Sequence, residues 1–217
     1  MIQVLESHFL RSASNAKNAP APTDSEIVCL GRSNVGKSTF INAILNKPLA
    51  KSSSTPGKTQ LINFFASMWA FDNTRIGLTF IDLPGFGYAK VSKSIKAQWE
   101  EHLLHFLQTR SSLKLFLHLV DSRHINTDID TMMSDMLEKM CHNDQCIFRI
   151  YTKADKLAQN ALSALKQSID SQRADTKMSK TLCFIFSANA KNHRKMTSVA
   201  QMREEIVTHT LGLKNEY

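Results

Sequence analysis

Glu26-Ile27-Val28-Cys29-Leu30, then Gly31-Arg32-Ser33-Asn34-Val35-Gly36-Lys37-Ser38, then Thr39-Phe40-Ile41-Asn42-Ala43-Ile44-Leu45 read in direct succession as strand, turn and helix. The first run is short and apolar, and the last carries its apolar residues at helical spacing. Between them, Gly31, Gly36, Lys37 and Ser38 fill a Walker A pattern, whose glycines let successive backbone N–H groups turn inward around an anion. A loop that opens a helix in this way is a phosphate site, because the first N–H groups of a helix lack internal partners and its dipole favours negative charge there. Lys37 reaches β- and γ-phosphates as a point charge, and the Ser38 hydroxyl is placed to hold Mg2+.

Two further motifs follow apolar strands. Asp82-Leu83-Pro84-Gly85 comes directly after Gly77-Leu78-Thr79-Phe80-Ile81, so its carboxylate can approach the metal through water and the Gly85 N–H can approach a γ-phosphate. Thr152-Lys153-Ala154-Asp155 ends the run from Cys146. The Asp155 carboxylate can accept from the ring N–H and the exocyclic amino group of guanine, whereas adenine offers no matching pair of donors. Hydrogen bonds to a charged group contribute about 1.5–3 kcal/mol each, enough for discrimination of two or more orders of magnitude. Lys153 can lay its methylene stem along the purine. Ser187-Ala188-Asn189, directly after the last strand, offers N–H groups to the guanine carbonyl oxygen or is a plain loop. Thr59 is the candidate switch residue in the polar segment from Lys51 to Gln60, with Thr55 its rival and Ser52, Ser53 and Ser54 read as solvated.

The chain of 217 residues suits one α/β domain, read as a lead-in over 1–24 and a single domain over 25–213. Strands are expected at Leu61–Phe65, Gly77–Ile81, Leu113–Val120, Cys146–Thr152 and Thr181–Phe186, with helices near Lys93–Thr109, Asp128–Met140, Ala158–Ser171 and Ser198–Leu211. The first two strands flank a turn at Asp72-Asn73-Thr74, which places an antiparallel strand at one edge of a mostly parallel, doubly wound sheet with ligand loops at the strands' carboxyl ends. Lys and Arg outnumber Asp and Glu by 27 to 19, a net charge of +8 that draws the protein to polyanions in a salt-dependent way. Cys29, Cys141, Cys146 and Cys183 lack C-x-x-C spacing and read as reduced thiols. Residues 1–10 lack the basic lead and long apolar block of a secretory signal, and no apolar run approaches the roughly 20 residues that span a bilayer. A cytoplasmic monomer without membrane insertion is expected.

Together, Gly31 to Ser38, Thr55-Pro56-Gly57-Lys58-Thr59-Gln60-Leu61-Ile62-Asn63-Phe64, Asp82-Leu83-Pro84-Gly85-Phe86-Gly87-Tyr88-Ala89-Lys90-Val91, Val120-Asp121-Ser122-Arg123-His124 and Thr152 to Asp155 resemble the EngB family of bacterial ribosome-assembly and septation GTPases. That family lies in the translation-factor-like class of P-loop NTPases. The resemblance implies a small-GTPase-like three-layer fold, binding of GTP and GDP with Mg2+, slow hydrolysis, a switch role on the 50S subunit or its rRNA, and a need in cell division. It further implies that Gly57, Lys58, Thr59, Gln60 and Leu61 bind the nucleotide beside Gly31 to Ser38, Asp82 to Gly85, Thr152 to Asp155 and Phe186 to Ala188. Ser38, Thr59 and Asp82 would serve the metal, and Lys37, Thr59 and Gly85 the chemistry. The chain departs from the family at Ile125-Asn126, where a proline-containing turn is usual, and carries Thr152 where the general GTPase motif has asparagine.

Phe86 stands where small signalling GTPases carry a water-positioning glutamine, so unassisted turnover near ~10⁻⁴ per second is expected. K+ at Asn34, RNA or protein are the candidate activators; Arg32 would serve only if bent inward and is read instead as an outward, solvated arginine. Lys90, Lys93 and Lys96, and separately Lys191, Arg194 and Lys195, read either as an rRNA-binding charge or as solvated faces. His118 and His124 lack partners at metal-ligand spacing and read as structural. Rival functions are a GTP-gated septation protein without ribosomal contact and a P-loop small-molecule kinase.

Overall fold

The computed structural model describes residues 2–23, 25–51, 61–86, 93–175, 180–189 and 194–213, with backbone alone at 93–100 and 173–175. Its seven strands are β1 (Gln3–Ala13), β2 (Glu26–Gly31), β3 (Ile62–Phe71), β4 (Thr74–Asp82), β5 (Leu113–Asp121), β6 (Cys146–Thr152) and β7 (Thr181–Ile185). The helices are α1 (Lys37–Leu45), α2 (Lys93–Thr109), α3 (Asp128–Met140), α4 (Gln159–Asp175) and α5 (Val199–Thr210). The sheet order is β1-β3-β4-β2-β5-β6-β7. β4, β2, β5, β6 and β7 are parallel, and β3 runs against both of its neighbours. From β2 the chain first adds strands on one side, then β5 on the other. The carboxyl end of β2 is therefore a topological switch point, where ligands bind in sheets of this kind.

Burial on both faces follows from the period of two in the central strands. In β2, Ile27 and Cys29 enter a core shared with Phe40, Ile41, Ile44 and Leu45 of α1 and Met202, Ile206 and Val207 of α5. Val28 and Leu30 enter the opposite core with Leu103, Phe106 and Leu107 of α2 and Met133 and Leu137 of α3. A third cluster joins Leu162, Leu165 and Ile169 of α4 to Val120, Tyr151 and Ile185. Each such fully buried side chain contributes roughly 1.5–3 kcal/mol.

β1 lies within the span read as a lead-in, where no strand is expected from the sequence. It pairs with β3, so β3 is the penultimate strand and β1 the border. Its alternation is broken by register shifts between Val4 and Glu6 and between Phe9 and Arg11. Only Ser7 and Ala13 of the strand are buried, so the period-two signal that betrays other strands is missing. The Ser7 hydroxyl donates to the Leu45 carbonyl at 3.0 Å, fixing the border to the end of α1.

At the end of β2 remote from the switch point, Glu26 and Arg110 form a closed pair. The Glu26 side chain is fully buried and that of Arg110 is 7% exposed. Arg110 donates through Nε to Oε2 and through Nη2 to Oε1 at 2.6 Å, and Ser112 adds a bond to Oε2 at 2.5 Å. Nη2 also reaches the Pro20 carbonyl, and the guanidinium lies 5.3 Å from the ring centroids of both Phe64 and Phe106. Removing one partner of such a pair leaves a buried charge alone, which costs about 3–5 kcal/mol. Arg110→Ala is therefore expected to lower unfolding free energy by about that amount in urea titrations. The double change Glu26→Gln with Arg110→Met should lose less than Arg110→Ala does. A single-variant loss under 1 kcal/mol would show that water, and not the acid, holds the guanidinium.

Candidate functional site

The loop after β2 is tightly packed from below. Gly31 has φ 151°, and a Cβ there would meet the Leu119 carbonyl oxygen at 2.5 Å. Gly36 is the N-cap of α1, and no side chain caps that helix. Its first-turn N–H groups are thus left to an anion, with Lys37 and Ser38 opening the helix beside them.

The Asp82 turn meets this loop directly. Leu83 N–H donates to the Cys29 carbonyl at 3.0 Å, Phe86 N–H to the Gly31 carbonyl at 3.2 Å, and Ser33 N–H to the Phe86 carbonyl at 3.4 Å. A Cβ on Gly85 would lie 2.6 Å from Ser33 Oγ and 2.9 Å from the Ser33 backbone. Any larger residue would force the two loops apart. Phe86 is buried in the core shared with α2 and α3.

Asp82 is buried, and its Oδ1 has no hydrogen-bond partner among the described residues. Burial pushes its carboxyl up to about 6 against the opposing charge of Lys37 and a hydrogen bond from Asn63. A buried, half-satisfied carboxylate next to a phosphate loop is what a divalent cation relieves. Together with Ser38, whose hydroxyl donates to the Lys51 carbonyl at 3.3 Å, it fits Mg2+, which takes few protein ligands beyond phosphates and water. No group of three or more His, Cys, Asp or Glu side chains that could cage a metal occurs among the described residues.

The loop after β6 is strapped to the phosphate loop. Thr152 Oγ1 lies 2.5 Å from the Val35 carbonyl and 3.1 Å from that of Val120, sharing its proton between them. The short Thr152 side chain thus ties the turn after β6 to the loop after β2. Lys153, at φ 56°, sends its Nζ to the Asn34 carbonyl and to Asp121 Oδ2 at 3.0 Å. Asp121 also accepts from Arg123 at 2.9 Å and 2.7 Å. Burial opposes its ionisation, but the Arg123 and Lys153 bonds hold the carboxyl well below the usual carboxylate range. Asp155 is exposed in a 3-10 turn, Ala154–Lys156, and Ser187 Oγ donates to its Oδ1 at 2.6 Å. That bond fixes the acid's orientation at the carboxyl ends of β6 and β7. Phe186 packs edge-on against Phe40 of α1, with centroids 4.9 Å apart.

All four described motifs therefore converge at adjacent carboxyl ends of parallel strands. Gly57, Lys58, Thr59 and Gln60 lie outside the described residues, as do Thr55, Lys90 and Lys191; Leu61 sits exposed just before β3. Arg32 is neither bent inward nor merely solvated, because its side chain is held by Asp130 of α3. Lys195 is tied to Ser163 of α4 at 2.6 Å, while Arg194 is exposed. His118 is buried and, by burial and the nearby Arg149 charge, lowered to about 3, so it is neutral, in keeping with a structural role. The sequence reading missed Asp121 and Asp130. Their signals were an acid closing an apolar strand, as at Asp82, and an acid three residues after Thr127 at a helix start.

A family model described as "50S ribosome-binding GTPase" matches residues 26–153. The chain is 64% identical over 220 residues to a probable GTP-binding protein EngB of Helicobacter hepaticus, covering 99% of each. A probable GTP-binding protein EngB of Wolinella succinogenes is 54% identical over 168 residues, 77% of this chain and 84% of the relative. Among solved structures, Toc33 from Arabidopsis thaliana in complex with Mg2+ and GMPPNP superposes with a TM-score of 0.57 at 15% identity, over 87% of this chain and 85% of that one. A bacterial selenocysteine-specific elongation factor gives 0.57 at 15% identity, over 89% of this chain and 30% of its own. At that identity the likeness is one of fold. The chain belongs to the EngB family of GTP-binding proteins.

Asp82→Asn removes the buried charge. At pH 7 it should stabilise the nucleotide-free protein by on the order of 1–3 kcal/mol. The sign follows from a folded-state value above the unfolded ~3.9, so the gain shrinks as pH falls through about 6 and vanishes below about 4. Thermal melts across that range check it, and an Asn variant that melts lower at pH 7 would show that the carboxylate is not under strain.

Proposed function

We propose that this chain is a Mg2+-dependent GTPase whose GTP and GDP states differ in affinity for the large ribosomal subunit or its rRNA, in assembly of that subunit and in normal cell division. The observation that carries the guanine reading is Asp155, oriented by Ser187 at the mouth of a phosphate loop. The ribosomal reading is supported by the +8 net charge and by the description of the family model that matches the chain.

In this reading the α1 N-terminus and Lys37 bind the β- and γ-phosphates. Ser38 and Asp82 hold Mg2+, with Thr59 joining in the GTP state. Bound there, Mg2+ neutralises charge on the phosphate oxygens. Asp155 excludes adenine by leaving its carboxylate unpaired against the wrong base edge. Gly85 presents its N–H to the γ-phosphate, its missing side chain letting the turn lie directly against Ser33. The core position of Phe86 leaves no side chain there to orient the attacking water, so hydrolysis is slow until K+ at Asn34, RNA or a protein supplies help. Among the described residues no helix is long and apolar enough to cross a membrane; the site of action is the cytoplasm and the protein a monomer.

Asp155→Ala should cut the preference for GTP over ATP by about two orders of magnitude in calorimetric titrations. Co-sedimentation with 50S subunits is expected to recover more protein with a non-hydrolysable GTP analogue than with GDP, and less of it as salt rises. Equal recovery in both nucleotide states would defeat the switch.

A further inference from the structure

The Arg32 side chain leaves the phosphate loop for α3. Its Nε donates to Asp130 Oδ2 at 2.9 Å, across 98 residues of sequence, and its Nη2 donates to the His124 carbonyl at 3.3 Å. The Asp130 side chain is only 4% exposed. It stands in the first turn of α3, where the helix dipole favours an acid, and the Thr127 hydroxyl donates to the same Oδ2 at 2.7 Å. Its other oxygen, Oδ1, has no hydrogen-bond partner among the described residues, and the neutral His118 ring nitrogen 3.9 Å away does not compensate. Arg32 is therefore the main positive charge on a buried carboxylate. The pair holds because dissolving it would strand that charge.

What the pair holds is the phosphate loop. The Arg32 carbonyl accepts the Val35 N–H at 3.4 Å, closing the loop's turn. Arg32 also bridges Phe86 in parallel fashion, and the next residue, Ser33, is the surface on which Gly85 rests. Anchoring Arg32 outward thus sets the turn that follows it, where the Ser33 N–H meets the Phe86 carbonyl, and how close Gly85 comes. α3 is a firm anchor, since Met133 and Leu137 bury one face of it in the core.

We propose that Asp130 is a positioning residue for GTP binding and hydrolysis, acting through Arg32 to hold the phosphate loop in its anion-binding shape. This rests on the guanine-nucleotide reading of the site. It separates the two ends of the ligand: the tie acts on the phosphates, while Asp155 and Ser187 read the base.

The test compares Asp130→Asn, Arg32→Met, Arg32→Lys and the double variant Asp130→Asn with Arg32→Met. GTP, GDP and ATP binding are measured by calorimetry, and turnover by phosphate release. Each of the first two variants should weaken GTP and GDP binding by about tenfold and leave the GTP-over-ATP preference intact. The double variant should be no weaker than the worse single one, because both changes break one tie. Arg32→Lys, which keeps the charge but cannot reach both Asp130 and the His124 carbonyl, should fall in between. Arg32 is partly exposed, so its variants keep the test open if Asp130→Asn fails to fold. Wild-type-like GTP and GDP affinity in the folded variants, losses that multiply in the double, or a changed base preference would each overturn the proposal. Failure of the unaltered protein to prefer GTP to ATP would instead defeat the reading on which it rests.

Discussion

The structure depends on a helix that is denied a cap. α3 satisfies its first N–H groups with the Thr127 hydroxyl, and α5 does so with a capping box between Ser198 and Gln201. α1 opens on Gly36 with no side chain to do the same. A glycine at a helix start costs about a few tenths of a kcal/mol against a good capping residue. That cost is useful only if an anion replaces the cap, and everything around the cleft keeps this exchange possible. Gly31 lets the loop lie against the Leu119 carbonyl, and Gly85 lets the neighbouring turn reach Ser33 without a side chain between them.

The second constraint is that the cleft's two ends are not independent. Thr152 bonds to the Val35 carbonyl and Lys153 to that of Asn34, so the turn after β6 also holds the loop after β2. Asp121 pulls Lys153 from the other side. A nucleotide that orders one end therefore finds the other already partly arranged, which lowers the entropic cost of binding the second half. The Asp82 carboxylate shows the opposite economy. It is buried at a cost to the nucleotide-free protein and becomes favourable once a cation is present.

Much of this was legible before any coordinate. β2, α1 and the motifs after β4 and β6 announce themselves through short apolar runs that end in residues with fixed chemistry, and the structure places each at a carboxyl strand end. What escaped was set by distant partners. β1 carries no alternation because its bulges shift the face twice. Arg32 looks like one more loop cation until Asp130, far along the chain, is seen beside it. Glu26 reads as part of a buried strand, and nothing local reveals that Arg110 and Ser112 make its burial possible. Local periodicity encodes elements; pairings across tens of residues are written only in the folded arrangement.

The same bulges have a consequence for how molecules of this protein meet one another. An eleven-residue border strand with unpaired amides is a template on which a second chain can add. Here Leu5 and Leu10, both exposed, sit at the two register shifts. The ladder rhythm is thereby broken into stretches too short for a straight strand to match. A sequence that kept these leucines but lost the kinks would present a flat, greasy margin and would invite fibrous aggregation during overproduction.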